Sequence, residues 1–230
     1  MSINNLFKVS QNDRYKFCTH IVETSSPRTD YYFLVILSTL IVALGLMADN
    51  VILVIGGMLV TPLLSPVLAI ALGVVISDHK VIWRSVRIFL MSFAFALLVA
   101  LIIGLFTSAK VGEVSIIKIM EPNLFTFFVA VVAGVAASYT WAKPDLNETL
   151  PGIAITVTLI PPLTAVGLAI ADGNWLIFGQ VTKVLLLNMF GIVVASLVVF
   201  SLMDFYKAKK KIVEEIKEEK EEIEREKNGK

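Results

Sequence analysis

Apolar residues gather into six long runs, at 31–48, 51–76, 88–106, 124–141, 150–171 and 184–203, and the interior of each is free of acidic residues. A hydrocarbon core about 30 Å thick takes roughly 20 residues of helix to cross. The runs have that length and lack the strict alternation of barrel strands. The pattern therefore predicts an all-α integral membrane protein with six transmembrane helices. Between the runs, segments 78–87 and 172–183 open on Asp78 and Asp172. They read as short amphipathic stretches at the membrane interface, each ahead of the next long helix.

Compared with itself at an offset of 100, the chain repeats. Leu59, Pro62, Leu63 and Leu68 recur as Leu159, Pro162, Leu163 and Leu168, and Ala69-Ile70-Ala71 recurs as Ala169-Ile170-Ala171. Leucine coincidences are common in apolar runs, so the prolines carry the signal. Each half reads as helix, proline-broken helix, interfacial segment, helix. Three crossings per half is an odd number, so the second half enters from the opposite face. That is an inverted 3+3 repeat, the plan of many secondary transporters, whose sites lie near midplane between broken helices. The organisation becomes a cytoplasmic N-terminal segment (1–30), a first membrane repeat (31–106), an external connection (107–123), a second repeat (124–203) and a charged cytoplasmic helix (204–230). In the alternative, the proline runs re-enter without crossing, which leaves Lys80, Arg84, Arg87, Lys143 and Lys183 outside.

Composition agrees with a bilayer solvent. Hydrophobic residues make up 57% of the 230 and charged residues 17%, against about 45 to 50% and about 25% in soluble domains. A conventional water-soluble globule is excluded, and so is a solvated coil. The net charge of +1 hides a segregation, because eighteen of the 39 charged residues lie in the last 27 positions. With the N-terminus inside, eleven Lys and Arg residues flank the inner face and only Lys110, Lys118 and Lys183 the outer. That asymmetry predicts a multi-pass protein with both termini in the cytoplasm. Trp83, Trp141 and Trp175 fall at run ends, where amphipathic rings suit the head-group layer. The single cysteine, Cys18, excludes an intramolecular disulfide framework. Residues 1–30 hold no apolar stretch of signal-peptide length, so the N-terminus is expected to be retained.

The proline-broken runs are where chemistry can reside. A proline in a helix lacks the N–H donor and clashes with the carbonyl four residues back. The carbonyls of Met58, Pro62, Val157 and Thr158 would thus be freed near Thr61, Ser65, Thr156, Thr158 and Thr164. With Pro62, Pro66, Pro161 and Pro162 these hydroxyls form a candidate pathway for a small ion or polar solute. The other reading is that the Ser and Thr side chains merely re-satisfy the backbone at a kink. No ionisable residue falls mid-span, which disfavours a proton-coupled carboxylate pump. No enzymatic signature, metal-ligand spacing or cofactor motif is present: His20 and His79 are far apart, and no phosphate loop or nucleophile elbow occurs. Small residues at four-residue spacing, such as Ala69 with Gly73, Gly134 with Ser138 and Gly191 with Ala195, read as close helix contacts.

The stretch Gly56-Gly57-Met58-Leu59-Val60-Thr61-Pro62-Leu63-Leu64-Ser65-Pro66, followed by Arg84-Ser85, resembles the first motif of the hydrophobic membrane proteins of domain-of-unknown-function family 389. The stretch from Leu150-Pro151-Gly152 through Pro161-Pro162-Leu163 is similar to that family's second motif. The resemblance covers roughly residues 30–203. It implies a prokaryotic inner-membrane, multi-pass protein and supplies no activity or site residues. Many members carry a soluble N-terminal domain, where this chain has about 30 residues.

At the chain's end, Lys207 to Lys211 forms a basic cluster, and Ile212, Ile216 and Ile223 lie among Glu and Lys with opposite charges four apart. This reads as a solvated helix or as a surface for a cytoplasmic partner through 207–230. Lys80, Arg84 and Arg87 share one helical face and read as a lipid-head-group anchor. The expected partners are the lipid bilayer and further copies of the chain in a homo-oligomer, with no nucleic acid. Two functions compete: a transporter or channel with its site between the broken helices, and a non-transporting sensor or scaffold acting through the C-terminal helix.

Overall fold

The computed structural model describes residues 29–107, 110–143 and 159–206. Thr156 and Thr158 of the candidate pathway, Cys18 and the charged helix expected after Tyr206 lie outside them. Among the described residues the regular structure is entirely helical: α1 (Thr29–Met47), α2 (Val51–Val60), α3 (Leu64–Val75), α4 (His79–Thr107), α5 (Ser115–Lys118), α6 (Leu124–Trp141), α7 (Ile160–Ala171) and α8 (Trp175–Leu202). A single 3-10 turn, Val111–Glu113, precedes α5. Four helices, α1, α4, α6 and α8, are long and apolar enough to cross a membrane, and α2 with α3 makes a fifth if the bent pair is one span.

The same device starts and stops these helices repeatedly. Asp49, Ser77, Gly173 and Asp204 adopt positive φ. At each, the chain end closes with two crossing bonds; at Ser77, for instance, Ser77 N–H donates to Val74 and Asp78 N–H to Gly73. This is the Schellman closure, which satisfies the last helical carbonyls. The next helix then opens at once on an Asx cap: Asn50 for α2, Asp78 for α4, Asn174 for α8. Stop and start within three residues forces adjacent helices antiparallel.

Two sequence expectations change here. Segments 78–87 and 172–183 are not separate interfacial pieces; they are the opening turns of α4 and α8, which run unbroken for 29 and 28 residues. Nothing in 79–103 breaks a helix, and at 1.5 Å per residue α4 is about 43 Å long, so its first turns extend beyond a core of about 30 Å. Second, the hydrogen-bond frame of α3–α4 recurs in α7–α8 at an offset of 96. Leu72, Val74 and Gly73 accept at the first turn as Leu168, Ile170 and Ala169 do at the second. The residue matches at an offset of 100 lie one helical turn away, where leucine and alanine patterns coincide again. In the structural register Pro66 corresponds to Pro162.

Packing inverts the pattern of a soluble protein. The buried face of α4 is Ser85, Ile88, Phe89, Ser92, Ala96, Ala100 and Gly104, whereas Leu90, Leu98 and Leu105 are exposed. Small residues inside and large apolar ones outside are what helix association in lipid requires. Gly167 of α7 lies so close to α4 that a Cβ there would stand 2.5 Å from Ala100 Cβ. As expected, Gly134, Gly191 and Gly73 are close-contact points: a Cβ on Gly134 would stand 2.8 Å from Ile192 Cα, and one on Gly73 2.8 Å from Ile82. Buried hydroxyls tie the helices together: Ser38 Oγ donates to the Gly57 carbonyl, Ser138 Oγ to Ser196 Oγ, and Ser92 Oγ to Tyr31 Oη.

The bundle has two distinguishable ends. At one, the connector 110–123 lies against the turn after α1, the turn after α7 and the start of α8. At the other, the C-terminal parts of α3, α6 and α8 meet in a cluster of Leu72, Ala142, Phe200, Met203 and Phe205. We call these the connector end and the far end. Gly167 faces Ala100 and Gly104 faces Ala171, so α4 and α7 run parallel. Each short helix reaches across to the other half: α7 packs on α4 as well as on α8, and α3 on α8 as well as on α4.

Candidate functional site

Among the described residues, two helices longer than one turn begin on a residue that gives no side-chain cap, α3 after Leu63 and α7 after Leu159. Both carry proline in their first turn, where the missing N–H has no intrahelical partner to lose. At the first, α2 ends at Val60, the chain turns through Thr61-Pro62-Leu63, and α3 departs at 52° to α2. Pro66 has no N–H to give the Pro62 carbonyl, and Ser65 Oγ donates to it instead at 3.0 Å. Ser65 is thus occupied with the backbone. The Thr61 hydroxyl, shielded from solvent, has no hydrogen-bond partner.

At the second, Pro161 and Pro162 open α7 rather than interrupting a helix among the described residues. The helix is enclosed by α1, α4 and α8, and every residue from Ile160 to Ala169 is buried. Thr164, two positions after Pro162, is completely buried and its hydroxyl also lacks a partner. Leaving such a group unpaired costs on the order of 1–3 kcal/mol. Thr61 and Thr164 are both among the sequence-predicted site residues.

A cavity of about 330 Å³ reaches the second site. Its walls are Val54, Ile55 and Met58 of α2, Ile119 to Glu121 of the connector, Thr126 of α6, Pro161 and Pro162 at the start of α7, and Val184 and Asn188 of α8. The sequence-derived set is therefore only partly brought together. Pro161 and Pro162 line the cavity; Thr61, Pro62, Ser65, Pro66 and Thr164 do not. Lys80, Arg84 and Arg87 sit well apart, exposed on the first turns of α4.

Asn188 is the functional candidate that the sequence reading passed over. It is 97% buried in the middle of α8 and lines the cavity beside Pro161 and Pro162. A search for ionisable groups in the spans misses a neutral amide. The visible signal is an Asn inside the apolar run 184–203, at the position that corresponds to buried Ser92 in α4.

The connector forms one wall of the cavity and is held from both halves. Asp49 accepts from the Ser115 and Ile116 amides at 3.2 and 3.0 Å, and Asp172 from the Val111 amide at 3.1 Å. Gln180 Nε2 donates to the Met120 carbonyl at 2.8 Å. Hydrogen bonds from Ser115 and from the Ile116 amide hold the Asp49 carboxyl below its ordinary range. The contacts fix Ile119, Met120 and Glu121 against the cavity.

Residues 58–194 match the family described as a domain of unknown function (DUF389). The chain is similar to the uncharacterized protein MJ0678 of Methanocaldococcus jannaschii, 25% identical over 194 residues, which cover 84% of this chain and 59% of that protein. The chain thus spans less than two thirds of that relative's length. No solved structure matches. The match includes Pro62, Pro66, Pro161, Pro162 and Asn188 and takes in more than half of the sequence, so the chain belongs to the DUF389 family.

Proposed function

We propose that this protein is a transporter or channel for a small ion or polar solute, with its site where the cavity meets Pro161, Pro162 and Asn188. The observation that carries the reading is the cavity itself: it lies between the connector and an uncapped, proline-opened helix whose next hydroxyl, Thr164, is buried and unpaired. A polar group held beside a proline-opened helix start within the span is where the sites of secondary transporters with broken helices lie.

The membrane plan behind this reading is six crossings in two inverted halves. Its support is that α2 starts at the connector end and α3 stops at the far end, as a bent span does and a re-entrant loop does not. The parallel course of α4 and α7, and the contacts of α3 and α7 with both long helices, fit the same plan. The far end carries Lys80, Arg84, Arg87 and Lys143, an excess of basic residues that favours a cytoplasmic far end with both termini and an external connector. No enzymatic chemistry is part of the reading.

Flux into proteoliposomes, measured across a panel of inorganic ions and small polar solutes, tests it. For the permeant species, Asn188→Ala is expected to lower the rate roughly tenfold, the loss of one buried hydrogen-bonding group. Lys110→Gln, at the exposed rim, should leave it unchanged. Absence of flux for every species, with the protein shown to be folded and inserted, leaves the scaffold reading through residues 207–230.

A further inference from the structure

The first turns of α4 carry a second concavity, remote from the connector. It is a pocket of about 540 Å³ at the far end, lined by Tyr32 of α1 and by His79, Lys80, Trp83, Arg84, Arg87 and Met91 of α4 among others. No acidic residue lines it among the described residues. Lys80, Arg84 and Arg87 follow one another at four- and three-residue spacing, so their charges converge on one face of the helix.

The pocket does not end in solvent. It shares Trp83, Arg87 and Met91 with an apolar groove that continues along α4 past Val86 and Leu90 to Ala94. Trp83 is 67% exposed and Leu90 59%, and their ring and chain face outward from the bundle. Tyr32 forms the second wall, with its hydroxyl 3.6 Å from Met91 Sδ and its ring 5.3 Å from Phe95. Because Tyr31 meets α4 at Ser92, the turns below it stand clear of α1 on this side.

A polar head and an apolar tail in continuous grooves describe one kind of molecule. We propose that this pocket seats an anionic phospholipid, with its phosphate against Lys80, Arg84 and Arg87 and one acyl chain along the groove from Trp83 to Ala94. The charge sign selects the anionic class. The groove's position on a lipid-facing helix, where basic side chains reach the head-group layer and an aromatic ring marks its boundary, selects a lipid over a free anion. The corresponding turns of α8 carry Leu176, Gly179, Gln180 and Lys183 in place of Lys80, Trp83, Arg84 and Arg87, and Gln180 is engaged by the connector. The seat is therefore specific to one half. The inference stands independently of whether anything is transported.

The test uses the full chain in nanodiscs of phosphatidylcholine with and without one fifth phosphatidylglycerol, reading retained lipid by native mass spectrometry after detergent extraction. Phosphatidylglycerol should be retained over phosphatidylcholine, and Arg84→Gln with Arg87→Gln should reduce that retention roughly 30-fold, given the contribution of each basic residue near anionic lipid. Lys110→Gln with Lys118→Gln, at the other end, should not. A Trp83→Phe variant gives a second readout that needs no charge change: phosphatidylglycerol with brominated acyl chains should quench wild-type fluorescence more than that of the variant. Equal retention of the two lipids by the wild type, or unchanged retention in the arginine variant, overturns the proposal. So does an equal thermal shift from inorganic phosphate alone, which would identify a free-anion site.

Discussion

The α3–α4 and α7–α8 units share one backbone frame and differ in what closes over them. Each is a 12-residue helix opened by proline, a three-residue Schellman turn and a long helix. At the start of α8 the connector is pinned by Asp172 and Gln180 and roofs a cavity. At the start of α4 no described segment closes over the equivalent face, and Lys80, Arg84 and Arg87 line it. The frame is thus set by backbone closure and by the cap residues. The chemistry is set by the side chains of the first two turns and by which end receives the connector.

The largest expected difference between the units lies in their short helices. Gly167 in α7 corresponds to Ala71 in α3, both within tightly packed faces. A Cβ at 167 would meet Ala100 Cβ at 2.5 Å and the Leu97 carbonyl at 3.0 Å, and backbone cannot step aside cheaply. Gly167→Ala should therefore destabilise by about 1–3 kcal/mol despite alanine's better helix propensity. Ala71→Gly should cost about 1 kcal/mol from propensity alone. Thermal unfolding in one detergent measures both. A rise in melting temperature for Gly167→Ala would mean that α7 is not held against α4 as described.

The caps should behave alike. Asp78 accepts from two amides, at 2.9 and 3.3 Å, and Asn174 from one, at 3.2 Å. Replacing either by Ala is expected to cost about 1 kcal/mol, with Asp78 the larger. Denaturant or thermal midpoints compared between the two variants decide it; a loss at one cap and none at the other would break the equivalence of the frames.

Much of this plan was legible in the chain. The runs 31–48 and 124–141 predict α1 and α6 to within two residues, because their boundaries are marked by Asp, Asn and aromatic residues. The small-residue pairs gave the close contacts at Gly134 and Gly191. Other features were hidden for physical reasons. The openings of α4 and α8 look polar because they leave the hydrocarbon core, and polarity alone does not distinguish a helix that continues from one that lies flat. The repeat register slid by one turn because leucine and alanine recur with helical periodicity, and only the hydrogen bonds at Ser77 and Gly173 fix it. At the site, Pro161 and Pro162 were legible, while Asn188 and the connector wall required tertiary contacts between residues about 60 apart.

The smallest effect concerns the connector, and it sharpens the contrast between the covered and open ends. Hydrogen bonds from Ser115 and Ile116 lower the Asp49 pKa in the folded protein from its ordinary value of 3.8. A carboxyl with a depressed folded pKa contributes fully above its unfolded pKa, and the contribution is lost as pH falls through the folded value. At neutral pH the connector is therefore held, and it is released at this point only once the pH falls below the ordinary carboxyl value of 3.8. Amide exchange at Ser115 and Ile116, corrected for intrinsic rates, should accelerate over that window while the buried turns of α7 stay protected. Asp49→Asn keeps a residue tolerant of positive φ and removes the charge, so it should produce part of the same acceleration at pH 7 without a measurable change in melting temperature. Exchange at Ser115 and Ile116 that is unaffected by either change would show that Gln180 and Asp172 suffice to hold the roof, and that the cavity's cover belongs to the second half alone.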